Sequence, residues 1–384
     1  MKNIGIVGAT GSIGVQATEI IHKYPDAFNV KFLSCHNNIN ELLSQISILK
    51  PEYAVVTGEK AVSGGVTDTK ILYGMNALTT LISEISGELD LVLSSAVGFA
   101  GIMPTYTALK NGVNVALANK ESIVAAGKTM IQTAEKTNTS IMPVDSEHSA
   151  IYQCLKGHGN NFIDKVVLTA SGGPFRYRPS DSMDYVDIGE TLKHPNWNMG
   201  NKITVDSATM MNKGLELIEA HYLFDISPDK LDVFIHPQSI FHSIVSFIDG
   251  SNLAQIGLPD MKAPISYALG FPDRLNWGAE RLTPQILNGL TFFKPDKKKY
   301  PCFAIALDVL KEGKNSLMIT MNAANEVAVD TFLRGLIKFT DIHRVIGNTL
   351  ELFESRDISS IDEIISLDNV VREKAKKISQ NIGR

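Results

Sequence analysis

The segment Asn3-Ile4-Gly5-Ile6-Val7-Gly8-Ala9-Thr10-Gly11-Ser12-Ile13-Gly14 decides the fold. Its first half is a short apolar run of strand type, and its second half is a turn punctuated by glycine. Beyond it, Ile13, Ala17, Ile20, Ile21 and Tyr24 recur at a spacing that lines them along one side of a helix. Strand, glycine turn and helix in that order are the context of a dinucleotide-binding loop. Gly8 would permit the tight turn, Gly11 a close approach of backbone to pyrophosphate, and Gly14 close packing of helix on strand. The open N–H groups at the helix start would hold the phosphates. The spacing is GxxGxxG rather than GxGxxG, and a plain strand-turn-helix is the competing interpretation.

The alternation continues to about Val144. Tracts Ile4–Val7, Val30–Leu33, Tyr53–Thr57, Leu89–Leu93, Val113–Ala118 and Ser140–Val144 read as strands with amphipathic stretches between them. Right-handed βαβ crossovers follow, so residues 1–144 are expected to form an α/β, Rossmann-like, doubly wound parallel sheet. Residues 145–273 mix polar loops with strands at Lys165–Thr169, Val233–His236 and Ile244–Ile248, and read as a central α+β catalytic domain. Residues 274–300 lack periodicity and read as a linker. Residues 301–384 read as a C-terminal α-helical bundle, with Val371, Ala375, Ile378 and Ile382 on one stripe and a capping box at Ser360-Ile361-Asp362-Glu363. Asn322-Ala323-Ala324-Asn325-Glu326 reads as a helix start.

Composition narrows the class. The chain has 384 residues, 44% hydrophobic and 20% charged, with a net charge of −5, which suits a globular protein of two or three domains. An acidic balance without Lys/Arg blocks argues against a nucleic-acid partner. No tract is long and apolar enough to span a bilayer, so no membrane partner is expected. Cys35, Cys154 and Cys302 are far apart with no Cys-x-x-Cys, which excludes a disulfide framework and a thiolate zinc site and implies a reducing, cytoplasmic setting.

The chemistry concentrates in two acidic segments, Val144-Asp145-Ser146-Glu147-His148 and Val205-Asp206-Ser207-Ala208-Thr209-Met210-Met211-Asn212-Lys213-Gly214-Leu215-Glu216. On an extended stretch Asp145 and Glu147 would point the same way. Asp206 or Ser207 could cap a helix on which Asn212 and Glu216 stand four apart and Lys213 and Glu216 three apart. Three converging carboxylates require a cation between them, and an all-oxygen set suits Mg²⁺ or Mn²⁺, with Co²⁺ as a further option. Lys213 would then meet a phosphate.

Other segments leave alternatives open. The tract Leu33-Ser34-Cys35-His36-Asn37-Asn38 lacks the acidic residue that would hold a free ribose, which favours NADPH. Ser34, His36, Asn37 and Asn38 could meet a 2′-phosphate or simply form a turn. Lys120 ends a strand at the carboxyl edge and could face substrate or solvent. Ser171-Gly172-Gly173-Pro174-Phe175 could be a phosphate nest or a turn. His194-Pro195-Asn196-Trp197-Asn198-Met199-Gly200 could be a lid clasped by Trp197, or a loop anchored by it. His236 and His242 read as structural.

Taken together, GATGSIG (Gly8 to Gly14), LANKES (Leu117 to Ser122), PVDSEH (Pro143 to His148), SGGPFR (Ser171 to Arg176), HPNWNMG (His194 to Gly200) and VDSATMMNKGLE (Val205 to Glu216) resemble the 1-deoxy-D-xylulose 5-phosphate reductoisomerase family over nearly the whole chain. The resemblance implies a homodimeric, three-domained NADPH enzyme of the non-mevalonate isoprenoid pathway. It implies metal ligands Asp145, Glu147 and Glu216, a substrate phosphate held by Ser171, Ser207, Asn212 and Lys213, and further contacts from Lys120, Ser146 and His194. Lys120, Glu147, His194 and Glu216 would form the catalytic set, and the Trp197 loop would close over the phosphorylated sugar. The cofactor would touch Gly8, Thr10, Gly11, Ser12, Ile13, His36, Asn37, Asn38, Asn119, Glu121 and Gly200. The implied reaction rearranges the sugar phosphate to an aldehyde and reduces it to 2-C-methyl-D-erythritol 4-phosphate. Rivals are another metal-assisted NADP-dependent dehydrogenase and a non-catalytic NADP sensor.

Overall fold

The structure is a computed structural model and describes residues 1–62, 68–197 and 199–383. Seven strands, β1 (Lys2–Val7), β2 (Phe28–Cys35), β3 (Tyr53–Val56), β4 (Lys70–Tyr73), β5 (Leu91–Ser94), β6 (Asn114–Leu117) and β7 (Ile141–Pro143), form one sheet in the order β4-β3-β2-β1-β5-β6-β7. Every neighbouring pair is parallel. Helices cover such a sheet on both faces, so its inner strands are largely buried, as in fully buried β5, Leu-Val-Leu-Ser. The strand order turns back at β1, between β2 and β5, and the carboxyl ends flanking that point form the ligand crevice of open α/β sheets. Helix Ser12–Lys23 buries Ala17, Ile20 and Ile21, three of the residues whose spacing announces it.

A second sheet holds β8 (Ile163–Ala170), β9 (Leu231–Ile235), β10 (Phe241–Phe247) and β11 (Asn252–Ile256), ordered β11-β10-β8-β9. Only β8 and β9 run parallel; the other pairs are antiparallel. Helices Pro301–Glu312, Asn315–Leu333, Asp341–Leu350 and Ile361–Ile382 follow. On the last, Val371 and Ala375 are fully buried and Ile378 and Ile382 pack at the core margin. Ser360 caps it by accepting from the Glu363 N–H at 3.1 Å, while Glu363 Oε2 accepts from the Ser360 hydroxyl at 3.2 Å rather than from its backbone N–H, so only half of a capping box forms.

Contacts group the chain into two compact units whose bounds differ from the segments read in the sequence. One comprises Met1–Ser122, Met130–Ser149 and Asp260–Ala279, and the other Ile123–Thr129, Ala150–Pro259 and Glu280–Arg384. Residues 260–279 join the first unit because helix Lys262–Gly270 packs on helix Ser12–Lys23. Lys262 pairs with Glu19 at 2.6 Å, and Lys2 Nζ donates to the carbonyls of Leu269 (3.0 Å) and Phe271 (2.6 Å). Within residues 280–300, Phe293 bridges antiparallel to Ile235 and the Phe292 ring stacks on His236 at 4.3 Å. The stretch 274–300 is therefore shared between the units and partly laid on a sheet edge instead of hanging free.

Three local expectations are corrected. Asp145 and Glu147 are not on an extended strand: β7 ends at Pro143 and helix Ser146–Leu155 begins at once, with the Asp145 carbonyl accepting from Ser149 N–H at 2.8 Å. Asp206 and Ser207 do not cap the helix of Glu216 but end helix Asn201–Ala208, and helix Met211–Phe224 starts after Met210 turns left-handed at φ +57°. Asp206 faces inward, where Lys202 (2.8 Å) and Asn325 Nδ2 (2.9 Å) satisfy it. Asn325 and Asn322 accordingly lie inside helix Asn315–Leu333 and do not start one. No helix among the described residues is long and apolar enough to cross a membrane.

Candidate active site

In the first unit the glycine turn has the shape its residues require. Gly8 sits at φ +81°, where a Cβ would come within 2.7 Å of the Ala96 nitrogen, and a Cβ at Gly14 would lie 2.3 Å from the Ala9 carbonyl oxygen. Gly11 is the N-cap of helix Ser12–Lys23 and no side chain caps that end, which leaves the N–H groups near Ser12 and Ile13 to a ligand or to water. Ser34 braces the turn, its hydroxyl accepting from Gly8 N–H (3.1 Å) and its carbonyl from Ala9 N–H (2.7 Å).

Past β2, His36 is exposed with Nδ1 3.3 Å from the Thr57 hydroxyl, and Asn38 caps helix Ile39–Leu49. Asn37 Oδ1 is buried and has no hydrogen-bond partner among the described residues. Asn119 caps helix Lys120–Thr137, accepting from Ser122 N–H at 2.9 Å and donating to the carbonyls of Ala96 (2.7 Å) and Gly98 (2.9 Å) and to Glu121 Oε2 (3.0 Å). A side chain so fully engaged fixes the loops at the ends of β5 and β6.

The acidic group of this unit lies at the end of β7. Lys120 Nζ forms a tight ion pair with Asp145 Oδ2, and Ser146 Oγ donates to Glu147 Oε2 at 2.5 Å. Fully buried His148, given no role in the sequence reading, brings Nδ1 to 3.4 Å from Asp145 Oδ2. Its i,i+3 relation to Asp145 becomes informative only once the helix start at Ser146 is recognised.

The second unit carries two groups. On helix Met211–Phe224, Glu216 is fully buried, accepts from Asn212 Nδ2 at 2.5 Å and forms a tight ion pair with Lys213. The Asn212 Oδ1 is buried without a hydrogen-bond partner among the described residues. In the other group, His194 Nε2 lies 3.0 Å from Ser171 Oγ and 3.1 Å from Ser207 Oγ, so three residues distant in sequence converge. Its Nδ1 accepts from the backbone N–H groups of Trp197 (3.0 Å) and Asn196 (3.3 Å). That nitrogen must be bare, and the proton sits on Nε2. Burial first, and then the charge of Arg176, lower the His194 pKa to about 4, so the ring stays neutral and donates from Nε2. Trp197 is half-buried, Asn198 lies outside the described residues, and Gly200 is the exposed N-cap of helix Asn201–Ala208. His236 is structural, its Nδ1 donating to the Thr291 carbonyl (2.9 Å) and its Nε2 accepting from Ile240 N–H (3.0 Å).

A Rossmann-type sheet with an uncapped glycine turn, carboxylates Asp145 and Glu216 each matched to a lysine, and a neutral histidine between two serines have the chemistry of an α/β nucleotide-dependent enzyme acting on an anionic substrate. Three segments match the family at the level of sequence models: residues 4–127 match 1-deoxy-D-xylulose 5-phosphate reductoisomerase, and 141–224 and 256–374 match its two C-terminal domains. The chain belongs to the 1-deoxy-D-xylulose 5-phosphate reductoisomerase family. It is 45% identical to the 1-deoxy-D-xylulose 5-phosphate reductoisomerase of Trichlorobacter lovleyi, over 100% of this chain and 98% of that one. To the protein of the same name from Geotalea daltonii it is 43% identical, over 99% and 100%. Among solved structures, the Zymomonas mobilis enzyme in complex with NADPH superposes with a TM-score of 0.90 at 36% identity, covering 99% of each chain. A DOX-P reductoisomerase in complex with NADPH, fosmidomycin and magnesium superposes with a TM-score of 0.92 at 37% identity, covering 100% and 98%.

Proposed function

We propose that this chain converts 1-deoxy-D-xylulose 5-phosphate, with NADPH, into 2-C-methyl-D-erythritol 4-phosphate, as a homodimer in the cytoplasm. The observation that carries the reading is the match to one family along the full length, including every motif that bears a reactive side chain.

Asp145, Glu147 and Glu216 would hold a divalent ion. The donor set fits, since all three offer hard carboxylate oxygens, and the ammonium groups of Lys120 and Lys213 now balance two of them. Bound there, the ion supplies Lewis-acid polarisation of the substrate's oxygens, and NADPH held at Gly8, Thr10, Gly11, Ser12 and Ile13 supplies the hydride. His36, Asn37, Asn38, Asn119 and Glu121 would shape the nucleotide end of the cofactor site in the first unit.

Ser171, Ser207, Asn212 and Lys213 bind the phosphate, and neutral His194 donates Nε2–H to it without adding a proton of its own. Binding at that remote end fixes the carbon skeleton for rearrangement. Lys120 and Ser146 orient the reacting end, and the loop carrying Trp197 closes to exclude water. The test is oxidation of NADPH on addition of deoxyxylulose phosphate, with and without Mg²⁺ or Mn²⁺. Turnover that requires both the sugar phosphate and the metal is expected; consumption of NADPH with a hydroxy acid or semialdehyde instead would assign another dehydrogenase activity.

A further inference from the structure

Within the second unit, Arg176 is a half-buried cation that no carboxylate matches among the described residues. Arg176 Nη1 donates to the Gly173 carbonyl at 3.3 Å, and its guanidinium lies over the Tyr177 ring at 5.0 Å. Among the described residues it forms no ion pair, and its Nε is buried without a hydrogen-bond partner. A buried guanidinium N–H with no acceptor is uncommon in a folded protein, and an anion or a water molecule is what relieves it.

The surroundings say which anion. Gly172 and Gly173 are both left-handed, at φ +78° and +65°, so the chain turns sharply after Ser171, in the kind of turn whose N–H groups can serve as an anion nest. The nest is locked from several directions. Tyr300 Oη donates to the Gly172 carbonyl (3.3 Å), Arg176 holds the Gly173 carbonyl, and Lys299 Nζ donates to the carbonyl of Arg176 itself (2.9 Å). Gly173 N–H in turn donates to Ser171 Oγ at 3.2 Å, the hydroxyl that contacts His194. A Cβ at Gly173 would lie 2.7 Å from the Ser207 carbonyl oxygen, so the nest abuts the backbone of the other serine.

We propose that Arg176 is a further positioning residue of the substrate site: it pins the Gly172-Gly173 nest through the Gly173 carbonyl and supplies the cradle of Ser171, His194 and Ser207 with a positive charge for a phosphate dianion. The inference rests on the reading of that cradle as the phosphate site. It also accounts for a histidine that stays uncharged there, because a neighbouring guanidinium disfavours a second cation while leaving the Nε2–H donor in place.

The experiment compares Arg176→Met, Arg176→Lys and Ser171→Ala as full-length enzymes with metal and NADPH. Arg176→Met should raise KM for the sugar phosphate roughly 10- to 100-fold, the size of one lost charge-assisted interaction, with a smaller change in kcat. Its affinity for inorganic phosphate should fall in parallel while its melting temperature stays near wild type. Arg176→Lys should recover part of the phosphate affinity, and NMR titration of His194 should move to higher pH in Arg176→Met. Wild-type KM and phosphate affinity in Arg176→Met, alongside a clear loss in Ser171→Ala, would overturn the role of Arg176 alone. No loss in Ser171→Ala would show that the cradle does not hold phosphate, and the proposal would fall with it. If Arg176→Met does not fold, titrating the wild-type protein with inorganic phosphate decides: the Arg176 Nε–H resonance should shift as the cradle fills, and an unmoved resonance would refute the inference.

Discussion

Gly14 and Gly11 stand three residues apart in one turn, yet alanine should harm them in different states of the protein. At Gly14 the added Cβ would lie 2.3 Å from the Ala9 oxygen and 2.5 Å from its carbonyl carbon and Cα, all backbone atoms with no rotamer to yield. Overpacking of a tight contact costs about 1–3 kcal/mol, and a backbone clash belongs at the upper end of that range. Gly11 is extended, at φ −81°, and its Cβ would meet only the Gly8 oxygen at 3.4 Å. Gly11→Ala should therefore leave the apo protein as stable as wild type, or raise stability by up to about 1 kcal/mol through the unfolded chain. The methyl would instead occupy the space the pyrophosphate needs, so its NADPH affinity should drop at least about 10-fold. Urea unfolding of the apo proteins and NADPH titration by fluorescence separate the two. A stable Gly14→Ala would refute the packing argument, and a Gly11→Ala protein with wild-type NADPH affinity would remove this turn from the cofactor site.

Glu216→Gln should cut kcat by ~10² to 10³ through loss of a charge at the reacting centre, and because Lys213 loses its buried partner it should also lower stability without metal; near-normal turnover at saturating Mn²⁺ would exclude Glu216 from the metal site. His194 titrates near 4 in the folded chain against 6.5 ordinarily, so its stabilising contribution is complete above about pH 6.5 and is lost as pH falls toward 4, by up to about 3 kcal/mol. Unfolding curves of wild type and His194→Gln should diverge across that window, and parallel pH dependence would contradict the assignment. Trp197→Ala should spare thermal stability while weakening substrate binding; a loss of roughly 3 to 5 kcal/mol with normal kcat/KM would mark a core anchor instead. NADPH should be strongly preferred over NADH because the end of β2 lacks a carboxylate, and equal kcat/KM for the two would refute that.

What the sequence disclosed follows from how each signal is encoded. The inner strands of the first sheet are buried over most of their length, so the later part of β1 and most of β5 read as apolar runs, and β2 carries Val30, Phe32 and Leu33 in its buried half. Edge strand β4, Lys-Ile-Leu-Tyr, has both ends exposed, and β11, Asn-Leu-Ala-Gln-Ile, is mostly exposed, so neither carries a burial pattern to read. The acidic motifs were legible as chemistry but not as geometry. Asp145 followed by Ser146 is a helix-start signal that competes with strand alternation, and here the helix prevails. The left-handed Met210 that separates the helices of Asp206 and Glu216 has no marker at all, since neither glycine nor asparagine occupies it. Arg176 stood in view within SGGPFR, but only the fold shows that no carboxylate among the described residues balances it.

The return of Asp260–Ala279 to the first unit bears on how the chain is made. On the ribosome, residues up to Ser149 emerge well before helix Lys262–Gly270, which covers helix Ser12–Lys23. At a synthesis rate of about 5–20 residues per second, the intervening ~110 residues take roughly 5 to 20 s. Throughout that interval the nascent sheet must hold without its last helix, with the side of helix Ser12–Lys23 that carries Glu19 left uncovered. A fragment ending near residue 150 should thus behave as an incomplete body and bind chaperones, whereas release of the nascent chain from them should coincide with the appearance of the residue 260–279 segment.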